Sequence, residues 1–143
     1  MSERVEHCVP DILKKDGVLI NDLFSANKEV VNIKDICDSM PGADWSKRII
    51  DSPSNSATLI CQSPGEGNRT HYHPDWNEWW YIIEGEWEWE IEGEEITVKK
   101  GDIVFIEQGK LHKITAKFVH GERSIRLAVS RSDVDHVYPE DLG

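Results

Sequence analysis

The middle of the chain consists of short runs in which apolar and polar residues alternate, separated by turns rich in glycine, proline and asparagine. The clearest run, residues 87–92 (WEWEIE), has an apolar side chain at every second position, as in a strand with one buried face. Many short strands at close spacing are typical of an antiparallel sandwich or barrel. The predicted strands cover residues 47–51, 58–62, 69–73, 78–83, 87–92, 95–99, 102–106, 112–118 and 124–130.

The regions on either side of these strands lack this alternation. Residues 1–44 are predicted to form a short N-terminal arm, irregular or helical. Within the arm, residues 30–40 fit either a short helix or a strand followed by a turn, and Pro41 and Gly42 end the element in both cases. Residues 45–131 are predicted to form the barrel, and the acidic tail, 132–143, is expected to be loose or docked outside it. The length of the chain fits one domain overall.

Charge and cysteine content narrow the classes of partner. The formal net charge of −11 argues against nucleic acids and anionic membranes, whose phosphates would be repelled. No apolar run is long enough to span a bilayer, and the first residues do not resemble a signal peptide. The three cysteines are odd in number and form no CxxC pattern, which favours a reducing, cytoplasmic location. Cys61, on a predicted core strand, is expected to be a packing residue.

Four residues have the chemistry and spacing of metal ligands. His71 and His73 are two residues apart, so in a strand their side chains point to the same face, about 6–7 Å apart along the chain. Glu78 follows five residues later, and His112 lies in a later predicted strand. Neutral imidazole and carboxylate are ligands that Fe, Mn, Ni and Zn accept. The sequence therefore predicts a divalent metal site formed by His71, His73, Glu78 and His112. The other histidines (His7, His120 and His136) are expected to be surface or hydrogen-bonded residues.

These stretches resemble the two sequence motifs of the cupin superfamily. The first motif, Gly, five residues, His-x-His, four residues, Glu, six residues, Gly, is matched from Gly65 to Gly85, with the ligand positions as above. The second is matched at Gly101, Gly109 and His112. The chain departs from the usual pattern at Glu107, where proline is common, and at Ala116, where asparagine is common. The resemblance implies a double-stranded β-helix, or jelly-roll barrel, with a metal inside.

The residues near the predicted ligands suggest a substrate pocket. The strand period that directs His71 and His73 inward also directs Arg69 inward, where its guanidinium could hold a substrate carboxylate or phosphate. The alternatives are that Arg69 pairs with an internal glutamate such as Glu107 or points out of the barrel mouth. Trp80 and Ile82 share the inward face of Glu78, and Arg126 is a second candidate anion contact. The other tryptophans are expected to fill the core or a subunit interface rather than a pocket.

A shorter segment resembles the metal site of the 3-hydroxyanthranilate dioxygenases. That family has an Arg-Thr-x-Tyr-His segment followed by Glu-Trp-Phe-Tyr, and the matching positions here are Arg69, Thr70, Tyr72, His73, Glu78, Trp79 and Tyr81. The spacing from histidine to glutamate is one residue shorter here, and His71 replaces a non-ligand. The resemblance implies that Arg69 contacts the carboxylate of the substrate.

The leading hypothesis is a metal-dependent oxygenase, of dioxygenase type, acting on a small carboxylate-bearing substrate. Fe²⁺ is the first choice of metal, with Mn²⁺, Ni²⁺ or Zn²⁺ as alternatives. A second hypothesis is a metal-dependent isomerase or lyase acting on a sugar acid or related metabolite, with Tyr72 or Glu107 moving the proton. A third is a non-catalytic module that binds a small molecule. The apolar pieces of the arm and the six tryptophans favour a homodimer.

Overall fold

The structure, a computed structural model, describes residues 26–117, 123–131 and 137–142. The described elements are α1 (Ile33–Ser39), β1 (Trp45–Asp51), β2 (Ser56–Gln62), β3 (Glu78–Glu84), β4 (Glu86–Ile91), β5 (Glu94–Lys99), β6 (Ile103–Ile106), β7 (His112–Ala116), β8 (Ser124–Ser130) and α2 (Pro139–Leu142). The prediction of an all-β fold is confirmed. The division into arm, barrel and tail stays a prediction, because residues 1–25 and 132–136 lie outside the described ranges.

The strands form two antiparallel sheets that face each other. The larger sheet has the order β1-β2-β8-β3-β6, and the smaller has the order β5-β4-β7. In an antiparallel pair, residues directly opposite each other point to the same face, so the strand register identifies the inward positions. One inward row of the larger sheet joins Arg48, Thr58, Ala128, Trp80 and Val104 across all five strands.

The core between the sheets is built around three tryptophans. Trp80, Trp87 and Trp89 are at most 2% exposed, and the Trp80 and Trp89 rings meet edge to face with centroids 5.3 Å apart. The rest of this cluster comprises Ile82, Val98, Val104, Ile106, Ile114 and Ala116. Each buried tryptophan removes a large apolar area from water, so these rings contribute strongly to the stability of a small barrel.

The outer face of the larger sheet is covered on one side by α1. Asn32 caps this helix by accepting a hydrogen bond from Asp35 N at 2.9 Å, which resolves residues 30–40 in favour of the helix. Cys37 of the helix packs onto β1, β2 and β8 in a second apolar cluster. Cys61, which is 0% exposed, belongs to the same cluster, as expected for a packing residue. This cluster holds α1 against the part of the larger sheet formed by β1, β2 and β8.

Two segments near the inward face differ from a simple strand pattern. The predicted strand at residues 69–73 is irregular, and isolated bridges join Gly67 to Thr115 and His71 to His112. Tyr72 exchanges two backbone hydrogen bonds of 3.0 Å with Val137, so the C-terminal segment 137–142 lies against this irregular segment. Among the described residues, no helix is long and apolar enough to cross a bilayer.

Candidate metal centre

Three histidines converge inside the barrel. His71 and His112 face each other in an isolated bridge, in which His71 N donates to His112 O (3.0 Å) and His112 N donates to His71 O (2.8 Å). His73 follows two residues after His71. One ring nitrogen from each of the three lies within 4.8 Å of the others, and all three residues are at most 2% exposed. Three histidines thus form a buried cluster that could hold a metal ion, as the sequence spacing indicated.

Backbone carbonyls fix two of these imidazoles. His71 Nδ1 lies 2.8 Å from Arg69 O, and His112 Nδ1 lies 3.0 Å from Lys110 O. A carbonyl oxygen can only accept, so each Nδ1 carries the hydrogen, and each Nε2 keeps its lone pair for another partner. Metal-bound histidines are held in this way by a hydrogen bond at the other ring nitrogen.

The protonation of His112 suits a metal ligand. The pKa of His112 is lowered to about 4, chiefly by burial; Glu78 and the Lys110 carbonyl oppose this shift, and the charges of His73 and Arg126 add to it. The ring is therefore neutral near pH 7. Its Nε2 is buried and has no hydrogen-bond partner within the described part of the chain. A cation would satisfy this atom, so the residues present fit a metal ion.

Glu78, the fourth predicted ligand, lies next to His73. It is the first residue of β3, and its Oε1 lies 2.6 Å from His73 Nε2. Nitrogen ligands at about 2.1 Å from one metal ion are about 3 to 4 Å apart, so the cluster would close by shifts of about 1 Å. The cluster within 4.8 Å contains the three histidines, and the carboxylate of Glu78 borders it. All four predicted ligand residues are therefore at one place.

Aromatic side chains form the walls around the histidines. The Trp80 ring lies edge-on to the His112 ring, with centroids 5.5 Å apart, and the next inward residue of β3, Ile82, is 0% exposed. Tyr138, from the C-terminal segment, has its ring centroid 5.8 Å from that of His71. Tyr138 is not among the predicted site residues, because nothing in the acidic tail indicates that it folds back onto the first motif.

A polar wall lies on the inward face of the larger sheet. Arg126 is 2% exposed, donates to Gln62 Oε1 at 2.7 Å and lies over the Trp87 ring at 4.4 Å from its centroid. Arg48, also 2% exposed, donates to Thr58 Oγ1 at 2.6 Å. Of these residues, Arg126 alone is among the predicted site residues. The period-two pattern of polar residues in β1 and β2 is the signal that could have found the others.

Three further predicted site residues are paired with residues outside the histidine cluster. Arg69 forms an ion pair with Glu140, and its guanidinium lies 3.7 Å from the centroid of the Tyr138 ring. Tyr72 is partly exposed and pairs with Val137 through its backbone. The side chain of Glu107 is 63% exposed and lies 3.7 Å from Lys110 Nζ. His7, His120 and His136 lie outside the described residues.

Comparisons with known proteins agree with this architecture. Residues 58–119 match the family model described as a cupin domain. A segment of 52 residues, 36% of this chain, is 35% identical to the tetracenomycin polyketide synthase protein TcmJ of Streptomyces glaucescens. The aligned segment spans 35% of the length of that relative.

Two solved structures resemble the fold over most of the chain. One is a double-stranded β-helix protein from Klebsiella pneumoniae, with a TM-score of 0.65, 18% identity, and coverage of 83% of this chain and 98% of that one. Another is the polyketide cyclase RemF of Streptomyces resistomycificus, with a TM-score of 0.62, 21% identity, and coverage of 79% and 86%. At these identities the likeness concerns the fold.

The two antiparallel sheets and the buried histidine cluster define a small double-stranded β-helix domain with a candidate metal centre. The family-model match covers both segments that contribute the histidines. The match over residues 58–119 and the fold support membership of the cupin superfamily.

Proposed function

We propose that this protein is a metal-dependent enzyme in which His71, His73, Glu78 and His112 bind one divalent cation. The observation that carries the proposal is the convergence of three buried ring nitrogens within 4.8 Å, with two Nδ1 atoms fixed by carbonyls. Fe²⁺ is the first choice and Mn²⁺, Ni²⁺ or Zn²⁺ are alternatives, because imidazole and carboxylate suit all four. An ion held by this set would supply Lewis-acid chemistry or the chemistry of O₂ activation.

The substrate is a small molecule with a carboxylate. Arg126 is, with Arg48, a buried cation on the inward face of the larger sheet, and its charge lowers the pKa of His112. A guanidinium that already lies over an aromatic ring and donates to a neutral amide, Gln62, is suited to bind a planar carboxylate. Trp80 and Ile82 exclude water from the space beside the histidines, which strengthens these electrostatic contacts.

Two reaction classes use this site. In the first, an oxygenase of dioxygenase type, an ion held by these residues would supply the chemistry of O₂ activation. In the second, an isomerase or lyase, an ion held by these residues would supply Lewis-acid chemistry toward a substrate carbonyl, and no oxidant is needed. The local identity to TcmJ favours carbonyl chemistry of the second class, because that relative is named as a polyketide synthase protein. The support for an oxygenase comes from the predicted metal ligands alone.

Metal content and oxygen uptake separate these reactions. We expect about one metal per chain after anaerobic loading, measured by elemental analysis. Uptake of O₂ with small aromatic or aliphatic acids would identify the oxygenase, and anaerobic turnover of a β-polycarbonyl acid would identify the second class. Binding of the acids with no turnover of either kind would leave a non-catalytic binding module.

Glutamate variants provide a matched control for the ligand set. Glu78→Gln is expected to weaken metal binding by at least about tenfold, because it removes a charged oxygen beside His73. Glu107→Gln removes an exposed carboxylate and is expected to leave metal binding unchanged. Wild-type protein that takes up no metal, or equal affinity in both variants, would contradict the proposed metal centre.

We also propose a homodimer formed through the uncovered part of the larger sheet. Trp79 and Phe105 face each other on β3 and β6, as do Tyr81 and Ile103, and all four are at least 40% exposed. The patch lies on edge strand β6, so a second copy can cover it. Light scattering should give a dimer for wild type and for Val30→Glu, and a monomer for Phe105→Glu. A monomeric wild type would refute this.

A further inference from the structure

A second cavity lies beside the metal centre, between the C-terminal segment and β7. Its volume is about 580 Å³, within the range of small-molecule sites. The residues that line it include Asn68, Arg69, Thr70, Lys113, Thr115 and Glu140. Side chains alternate along a strand, so Lys113 and Thr115 lie on the face of β7 opposite to His112 and Ile114. The cavity is therefore separate from the space that the histidines enclose.

The charged groups of this cavity are arranged for an anion. Among the described residues that line it, Arg69 and Lys113 are cations and Glu140 is the one carboxylate. This local excess of positive charge contrasts with a formal net charge of −11 for the whole chain. Thr70 and Thr115 add hydroxyl groups that can donate to an oxygen ligand.

The guanidinium of Arg69 is held in place from two directions. Its flat face lies on the ring of Tyr138, 3.7 Å from the ring centroid, and Tyr138 itself is 5% exposed. The Nη1 atom of Arg69 pairs with Oε1 of Glu140. The side chain of Glu140 is 58% exposed, so it can leave for solvent while Tyr138 keeps the guanidinium oriented. An oriented guanidinium is suited to bind a carboxylate through two parallel hydrogen bonds.

We propose that this cavity is a binding site for a small organic carboxylate, distinct from the metal centre, and that Glu140 occupies the position of the ligand until the ligand displaces it. The carboxylate of the ligand then pairs with Arg69, and Lys113 supplies a second positive charge. The internal carboxylate competes for the same guanidinium, so Glu140 sets the concentration of ligand needed. The body of the ligand fills the part of the cavity between Thr70 and Thr115.

Calorimetric titration of the full chain with sodium benzoate tests the site, in metal-free and zinc-loaded protein. Glu140→Gln should bind benzoate about threefold more tightly than wild type, because an exposed ion pair contributes a small competing energy. Arg69→Gln should weaken binding at least tenfold, since it removes the bidentate partner. Benzamide, which lacks the charge, should not bind. Lys110→Gln, at a cation absent from the lining residues of this cavity, is the control and should bind like wild type.

The outcomes separate this proposal from the metal centre. Arg69→Gln keeps the backbone carbonyl that accepts from His71 Nδ1, so its metal content should equal that of wild type. Benzoate binding that Arg69→Gln does not change, or that Arg126→Gln abolishes instead, would overturn the proposal. The same holds if Glu140→Gln binds no more tightly than wild type. Absence of metal from the wild type would refute the proposed function, while the titration of metal-free protein would still decide this inference.

Discussion

Replacing Gly67 by alanine tests how the metal centre is assembled. An added Cβ would lie 2.9 Å from Ile114 C and from Thr115 Cα, and closer still to Ile114 O. These atoms are backbone, so no side-chain rotation can make room, and carbon atoms normally stay at least about 3.5 Å apart. The segment containing Gly67 would have to move away from β7, which positions His112.

The cost follows from the contacts that this movement strains. Asn68 N donates to Ile114 O at 2.9 Å, and Asn68 Oδ1 accepts from Ile114 N at 2.7 Å. Each hydrogen bond contributes about 1 kcal/mol, so losing both lowers the free energy of unfolding by about 2 kcal/mol. Steric strain in packed surroundings adds about 1 to 3 kcal/mol, for a total of about 3 to 5 kcal/mol. The bridge between His71 and His112 lies on the same pair of segments, so metal affinity should fall as well.

Gly65→Ala is the matched control. Gly65 has φ of +88°, and an added Cβ there meets nothing within 4 Å. That variant carries only the cost of a left-handed conformation, about 1 to 2 kcal/mol, with no displacement of the segment. Urea unfolding followed by tryptophan fluorescence measures both variants, and chelator competition measures metal affinity. The reasoning is refuted if Gly67→Ala is no less stable than Gly65→Ala and binds metal equally well.

Two further predictions concern stability. Burial raises the pKa of the Cys61 thiol to about 12, so the unfolded chain ionises first as the pH rises above about 9. The contribution of Cys61 to the free energy of unfolding should be fully present below pH 9 and should fall by about 2 kcal/mol by pH 10.5. In urea unfolding, the free energy of unfolding of Cys61→Ala should decline less steeply with pH than that of wild type, and equal slopes would contradict this. Arg123 donates to three carbonyls at the end of α1 and contacts Glu84. Arg123→Met should cost about 2 to 3 kcal/mol in urea unfolding, whereas Arg131→Met, at an exposed ion pair, should cost under about 1 kcal/mol; similar losses would exclude the role of Arg123.

The parts of the site that sequence predicted are those set by short-range geometry. Two histidines separated by one residue point the same way because the side-chain period of an extended chain is two. The inward position of Trp80 follows from Glu78 by the same period, and both are buried. The alternation of residues 87–92 likewise identified Trp87 and Trp89 as inward residues, and both lie in the core. Local rules sufficed because each of these relations spans a few residues.

The surroundings of Arg69 show where local rules stop. The strand period directed Arg69 inward with His71, and the proposed alternative partner was Glu107. In the structure the segment is irregular, and Arg69 pairs with Glu140, which is 71 residues away in the chain. The pairing depends on Val137 reaching Tyr72, a contact between distant segments that no periodicity encodes.

The sequence by itself determined the strand pattern, the all-β class and the four residues of the candidate metal centre, because these follow from periodicity and from ligand chemistry at fixed spacing. The tertiary structure alone decided which segments lie side by side. It brought Tyr138 against His71, placed Arg48 on the inward face with Arg126, and gave Gly67 its close approach to β7. These features depend on long-range packing, in which the free energy of burying distant segments together outweighs the local preference of either one.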